Sequence, residues 1–381
     1  MTLTLKMPLR SYLVISDVHL GARSTTAEEI LEHLTTFFED FSDLSELAQI
    51  DTLFIAGDLW DDTLPLASDV VPQVIYWFNR VVRWCARNHI QLRILEGTPR
   101  HDRRQGVSLK SIVEVLEIDI DFKYVTQLSI EKNERLGLSV LYVPDECRPT
   151  AEICRADVET LLAEHQLQKV DIAIMHGAFK YQLGLMPMTP KVHDEVWYLQ
   201  HVKHYISIGH VHTPSQFNRI VAQGSFDRLS HGEEEAKGAV LIKEIKPDEW
   251  MHFFIENVHA KRYLTIDVDG PLEDVLKKID RLIRPLPFGS YVRIRGLSNH
   301  PVFQGFETLR ARYPLFIFSK KTLSQEDTDK PAELTKTLDY KPIVLNKQTL
   351  TDAILTEVTT RRPLTPLEEE RLHTHLEALH F

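Results

Sequence analysis

The chain carries a recurring unit: a short apolar run, long enough for one buried strand, that ends in a loop holding an aspartate or a histidine. "YLVIS" (12–16) runs into Asp17 and His19, and "TLFIA" (52–56) runs into Gly57 and Asp58. "LRILE" (92–96) leads to "GTPRHDRR", with His101 and Asp102. "DIAIM" (171–175) precedes His176, and "YISIG" (205–209) precedes His210 and His212. A sixth run, "LSVLYV" (138–143), has the same character. Continuous apolarity marks strands covered on both faces. Helical patterns occupy 26–41, 70–88, 108–116 and 150–165 between them. Alternating strands and helices predict an α/β architecture, with functional residues beyond the carboxyl ends of the strands.

At 381 residues the chain is long for one domain. We divide it at 1–257, 258–325, 326–346 and 347–381. The second segment reads β-α-β-α-β: "RYLTIDVDG", "LEDVLKKIDRLIR", "SYVRIRGL", "FQGFETLRARY" and "LFIFS". The third is polar and charged, as a linker is. The fourth holds two short apolar-faced helices, the second opened by Thr365, Pro366 and Glu368 as a capping box. Such helices form no core alone and must dock on the main body or on a partner.

The net charge of −11 is uneven, because residues 257–321 alone carry +6. A basic module attached to an acidic one fits that asymmetry, as does a solvated face. Its contact candidates are Lys261, Arg262, Lys277, Lys278, Arg281, Arg284, Arg293 and Arg295. Cys85, Cys147 and Cys154 are too few and scattered for a disulfide framework or a thiolate metal site. No run approaches a membrane span and the first residues lack a signal-peptide layout, so a cytoplasmic location is expected.

Five strand ends bearing carboxylates or imidazoles form a metal-ligand pattern. In extended chain, residues i and i+2 point the same way. On that rule Asp17 and His19 reach one ion together, and so do His210 and His212. Gly57 lets backbone crowd in beside Asp58, and a central aspartate bridges two ions with its two oxygens. Imidazole and carboxylate without thiolate suit Mn2+, Fe2+ or Zn2+ rather than Ca2+. Two such ions about 3.5–4 Å apart clamp the attacking and leaving oxygens of a phosphoester.

The set "DVH", "GDLWD", "GTPRHD", "HG" and "GHVH" resembles the calcineurin-like metallophosphoesterases, whose pattern is Asp-x-His, Gly-Asp, Gly-Asn-His-Asp, His and Gly-His-x-His. The segment "QGSFDRLSHGEEEAKGAVLI" (223–242), the small basic domain and the terminal helices resemble the SbcD nuclease type. The resemblance covers nearly the whole chain. It implies a sandwich of two mixed sheets flanked by helices, a small α+β capping domain and C-terminal partner-binding helices. It implies a DNA exo- and endonuclease acting in double-strand-break repair with two divalent ions, Mn2+ favoured and Mg2+, Fe2+ or Zn2+ as alternatives. Asp17, His19 and His212 would hold one ion, His176 and His210 the other, and Asp58 both. His101 would donate a proton to the leaving oxygen or stabilise the transition state, with Asp102 orienting it. The implied partners are double-stranded ends, single-stranded or hairpin DNA, a second copy in a homodimer through helices including 70–88, and an SbcC-like SMC-type ATPase.

The chain departs from the pattern in one loop. Gly-Asn-His-Asp has become Gly-Thr-Pro-Arg-His-Asp, two residues longer and without the asparagine oxygen ligand. The hydroxyl of Thr98, a backbone carbonyl or a water would fill that position, and weaker binding of the second ion is expected. Arg100, Arg103 and Arg104 lie where they meet DNA phosphates or form a solvated turn. Asp145, Glu146 and His231 are further candidates from neighbouring loops. Asp62 has a matching place in the motif but no ligand role, and is read as supporting a ligand from behind or lying on the surface; His89, His165, His193, His201, His204 and His252 are read as surface or core residues. Two other functions compete: a small-substrate phosphodiesterase of the same fold, and a DNA-tethering scaffold with a weakened second metal site.

Overall fold

The structure is a computed structural model that describes residues 10–22, 26–42, 49–65, 67–145, 148–184 and 189–323. The linker, the terminal helices, Glu146 and Cys147 lie outside the described residues. The chain divides into two units, Met1–Leu323 and Ser324–Phe381.

Twelve strands of the first unit form two six-stranded sheets. In chain order they are β1 (Ser11–Ile15), β2 (Thr52–Ala56), β3 (Gln91–Leu95), β4 (Phe122–Val125), β5 (Ser129–Asn133), β6 (Leu138–Val143), β7 (Ile172–His176), β8 (Ile206–Gly209), β9 (Ser215–Phe217), β10 (Ile220–Ala222), β11 (Gly238–Lys246) and β12 (Glu249–Glu256). The first sheet runs β12-β11-β1-β2-β3-β4 and the second β5-β6-β7-β8-β10-β9. Both are mixed. β1 to β4 are parallel and β11 joins them antiparallel, while β6, β7 and β8 are parallel with antiparallel β5 and β9 at the edges.

The period-2 side-chain alternation explains why the central strands are apolar throughout. Tyr12, Val14, Phe54 and Ala56 face the layer between the sheets, against Tyr142, Ile172 and Ile174. Leu13, Ile15, Leu53 and Ile55 face outward beneath α1 (Ala27–Ser42) and α2 (Val70–Arg87). Ala173 and Met175 do the same on the second sheet, under α4 (Ala151–Glu164), which follows α3 (Gly106–Val115) in the chain. The central strands of both sheets are thus covered on both faces, and the carboxyl ends of β1, β2, β3, β7 and β8 open into one region.

β13 (Tyr263–Asp267), β14 (Tyr291–Leu297) and β15 (Ile317–Leu323) form a third sheet with its own core around Ile266, Ile279, Val292 and Ile294. The division expected at 258 falls inside the first unit. The expected α+β character is corrected. All three strands run parallel, and parallel neighbours need crossover helices, here Leu272–Ile283 and then Pro301–Gln304 with Phe306–Arg312. The last crossover, read from sequence as one helix, is broken at Gly305.

Candidate metal centre

The loops after β1 and β2 are zipped together. Asp17 N–H donates to Gly57 O at 3.1 Å, Val18 N–H to Asp58 O at 2.9 Å and Leu20 N–H to Leu59 O at 2.9 Å. Asp17, His19 and Asp58 all take left-handed backbone, with φ of 51°, 53° and 50°. Three such non-glycine residues in one loop pair mark a locally strained site. Gly57, at φ 87°, passes so close to His176 that a Cβ would stand 2.2 Å from Nδ1; a Cβ on Gly97 would stand 2.1 Å from the Asp58 nitrogen. Neither position admits a side chain.

Three overlapping sets of donor atoms result: Asp17, His19 and His212; His19, Asp58 and His101; Asp58, His176 and His210. His19 and Asp58 each belong to two of them. The extended-chain rule fails for His210 and His212. His210 sits at φ 100°, so the two rings diverge into different sets. Asp17 and His19 still share a set, brought together by left-handed turns rather than by alternation.

Three of the rings are each aimed by a second contact. His176 Nδ1 donates to Ala56 O at 2.7 Å, which turns Nε2 toward Asp58 Oδ2 at 3.3 Å. His19 Nδ1 meets Asp61 Oδ1 at 3.1 Å and His212 Nδ1 meets Glu233 Oε1 at 3.1 Å. The carboxylate of Asp17 accepts the backbone N–H of His210 at 2.9 Å, which fixes the loop rather than the ring. Thr98 lies where the asparagine is missing. Its N–H donates to Asp58 Oδ1 at 2.5 Å, and its hydroxyl is 3.1 Å from Asp58 Oδ2, 3.5 Å from His176 Nε2 and 3.4 Å from His210 Nδ1. His101 stands partly exposed over His19, with ring centroids 4.9 Å apart and Nδ1 held by Asp61 O at 2.5 Å.

Asp102 takes a different place from the one expected. Fully buried, it accepts the N–H groups of Asp58 at 3.1 Å, Trp60 at 3.1 Å and Gly97 at 2.6 Å. It ties the β2 and β3 loops together, while Asp61 makes the contact to His101.

The electrostatics follow from crowding. Burial alone would raise the Asp58 carboxyl, but His176, His19 and the Thr98 N–H outweigh it and hold it well below the carboxylate range. Burial opposes protonation of His176, and Asp58 and Asp17 push its pKa well up against that. Burial and His176 together lower His210. Burial, with Asp58 nearby, pushes Asp102 up to about 7. Burial would raise Glu233, yet His212 and Lys237 bring it down to about 2.

The donor set fits a divalent cation. In His19 and His212 each Nδ1 is turned to a carboxylate, which leaves Nε2 as the atom each ring offers to a cation. Those two nitrogens lie only 3.1 Å apart. Facing lone pairs repel unless a proton or a cation lies between them. The carboxylate-backed imidazole is the usual arrangement of a metal-ligating histidine. Imidazole and carboxylate donors suit a first-row divalent ion.

This geometry has a sequence counterpart. The chain is 23% identical over 282 residues to the DNA double-strand break repair protein Mre11 of Saccharolobus solfataricus, covering 71% of this chain and 70% of that protein. The chain is a distant relative of that protein. No protein-family model matches it. Two solved structures show weak likeness. One has a TM-score of 0.37 and 12% identity, covering 62% of this chain and 95% of its own. The other, the protein of unknown function AQ665 from Aquifex aeolicus, has a TM-score of 0.23 and 13% identity over 44% and 78%. Scores this low establish no shared fold.

Other sequence candidates separate. Asp145 reaches the rim, 4.0 Å from His210 Nδ1. His231 instead packs on Tyr263 of the third sheet, with centroids 4.9 Å apart. Lys261 is buried, ion-paired to Glu29 at 2.7 Å and set over the Tyr291 ring, so it offers no free charge. Asp62 pairs with Arg103 at 3.3 Å, away from the rings. Asp61 and Glu233 were missed. Asp61 adjoins Asp62 in "WDD", and Glu233 opens a run of three glutamates, so local sequence offered no way to choose among them. Lys237, fully buried, completes the second network by donating to His212 O at 2.8 Å and pairing with Glu233 at 3.3 Å.

Proposed function

We propose that this chain is a metal-dependent nuclease of the metallophosphoesterase type, hydrolysing phosphodiester bonds at DNA ends in double-strand-break repair as the nuclease subunit of an SbcCD-like complex. One observation carries the reading: three histidine–aspartate sets are chained through His19 and Asp58, and the middle one includes the partly exposed His101. The similarity to a protein named for double-strand-break repair supports the substrate.

Asp17, His19 and His212 would hold one divalent ion, His176, His210 and the Thr98 hydroxyl would hold the second, and Asp58 would serve both. Ions bound there, Mn2+ by preference, supply charge neutralisation of the phosphodiester and a lowered pKa for the attacking water. His101 acts at the leaving oxygen. Its Nδ1–H is committed to Asp61 O, so Nε2 is the atom that delivers the proton. The network through Asp102 keeps the loops of Asp58 and His101 in register. In the cell the chain works as a homodimer with an SMC-type ATPase. Tyr76 and Ile75, exposed on α2, suit the dimer contact.

Supercoiled plasmid incubated with the protein and Mn2+ tests this. Nicking that stops with EDTA and falls by about 100-fold or more in His101→Ala is the expected result. Turnover of a small chromogenic diester with no DNA cutting would point to a small-substrate phosphodiesterase. DNA binding without any hydrolysis would point to a scaffold.

A further inference from the structure

Beside the Asp58–His176–His210 set lies a cavity of about 880 Å³ that the roles above leave unused. Four arginines line it, Arg100, Arg103, Arg104 and Arg148, against two carboxylates, Glu96 and Asp145. In a chain of net charge −11 this concavity is cationic. It shares walls with the centre. Pro99, which lines it, follows Thr98 directly, and Asp145 lies 4.0 Å from His210 Nδ1.

The lengthened loop builds this cavity. Arg103 and Arg104 occupy consecutive left-handed positions, at φ 44° and 57°, which non-glycine residues rarely adopt. Buried Glu96 holds the second of them by accepting the Arg104 N–H at 2.9 Å. Arg103 is engaged with Asp62 at 3.3 Å, and Arg148 with Asp157. Among the described residues, no ion pair reaches the guanidinium of Arg100 or Arg104, and both residues are exposed. Two exposed guanidinium groups without a close ion pair, Arg104 feeling only the longer-range field of Glu96, lie over a cavity beside a phosphoesterase centre and are suited to phosphate oxygens, which they bind in forked geometry.

We propose that this cavity is a phosphate-binding subsite for a nucleic-acid strand, in which Arg100 and Arg104 grip backbone phosphates next to the bond being cut. The proposal rests on the reading of the centre as a phosphodiesterase. Phosphate contacts position a strand without reading its sequence, so the subsite raises affinity equally for all sequences. It also offsets the repulsion between an acidic protein and a polyanion.

The test uses the full chain in EDTA, so that binding is read without cleavage. Anisotropy of a fluorescein-labelled single-stranded oligonucleotide is followed across a salt series. R100A/R104A is expected to lose at least about tenfold in affinity and to flatten the slope of log affinity against log salt by about 1.4. Gln127→Lys, which adds a charge at the cavity rim, is expected to tighten binding. Affinity and slope unchanged in both variants would overturn the subsite. So would arginine-dependent binding of inorganic phosphate alone with no effect on the strand. Plasmid cutting by the unmodified protein separates the two ideas: cutting retained with unchanged binding in the variants sinks the subsite only, whereas absent cutting with arginine-dependent strand binding sinks the reading of the centre only.

Discussion

Nε2 of His19 faces Nε2 of His212 at 3.1 Å, while a carboxylate holds the far nitrogen of each ring. The two nitrogens face each other across a gap that a proton or a cation must fill, and a bound divalent ion would be held by both rings. Added Mn2+ is therefore expected to stabilise the fold, by about 2.7 kcal/mol at 100 times its dissociation constant. Melting curves in Mn2+ and in EDTA check this, and His212→Ala should remove most of the difference. Coincident curves for the unmodified protein would refute it.

Asp61 serves two rings by different atoms, its carboxylate to His19 and its carbonyl to His101. Asp61→Ala deletes the first contact and keeps the second. Metal affinity, measured by calorimetric titration, is expected to fall about 10–100-fold. An affinity equal to that of the unmodified protein would show that His19 needs no such support.

Thr98→Val keeps the shape of the side chain and the N–H donated to Asp58 but removes the hydroxyl among Asp58, His176 and His210. The weaker of two binding steps should lose about tenfold. Thr98→Asn should recover that loss. Two unaltered binding steps in the valine variant would rule out the hydroxyl as a donor.

Asp102→Ala strands three buried N–H groups at once. The expected loss of stability is about 3 kcal/mol or more, read from urea unfolding. A change below about 0.5 kcal/mol would mean the two loops hold their register by other means.

His193 gives a pH dependence. It is buried with Nδ1 unpartnered among the described residues, and burial, with Arg155 adding to it, pushes its pKa down to about 4. The unfolded chain takes up this proton near pH 6.5, and the folded protein resists until about 4. The stability contributed by neutral His193 is therefore complete above pH 6.5 and is lost as pH falls toward 4. Unfolding at pH 5 should take up about one proton more in the unmodified protein than in His193→Leu. Equal uptake would contradict the assignment.

The central strands were legible because residues such as Leu53 and Phe54 sit on opposite faces of a sheet that is covered twice, which leaves an unbroken apolar run. The edge strands were not. β5, "SIEKN", and β12, "EWMHFFIE", carry charges and mixed exposure, because one side of each meets solvent. The donor residues were legible because aspartate and histidine directly after apolar runs are chemically conspicuous. Their grouping was not, since it depends on backbone angles: φ of 100° at His210 sends neighbouring histidines to different sets.

By itself the sequence determined the donor chemistry, the layered α/β plan and the departure at Thr98, because these depend on residue type and short-range order. Only the tertiary structure decided which groups orient those donors. Asp61 rather than Asp102 holds His101, Glu233 and Lys237 back His212, and Arg100 and Arg104 line an unclaimed cavity. Each is a contact between chain segments whose meeting is set by the packing of two sheets and not by any local preference of the residues involved.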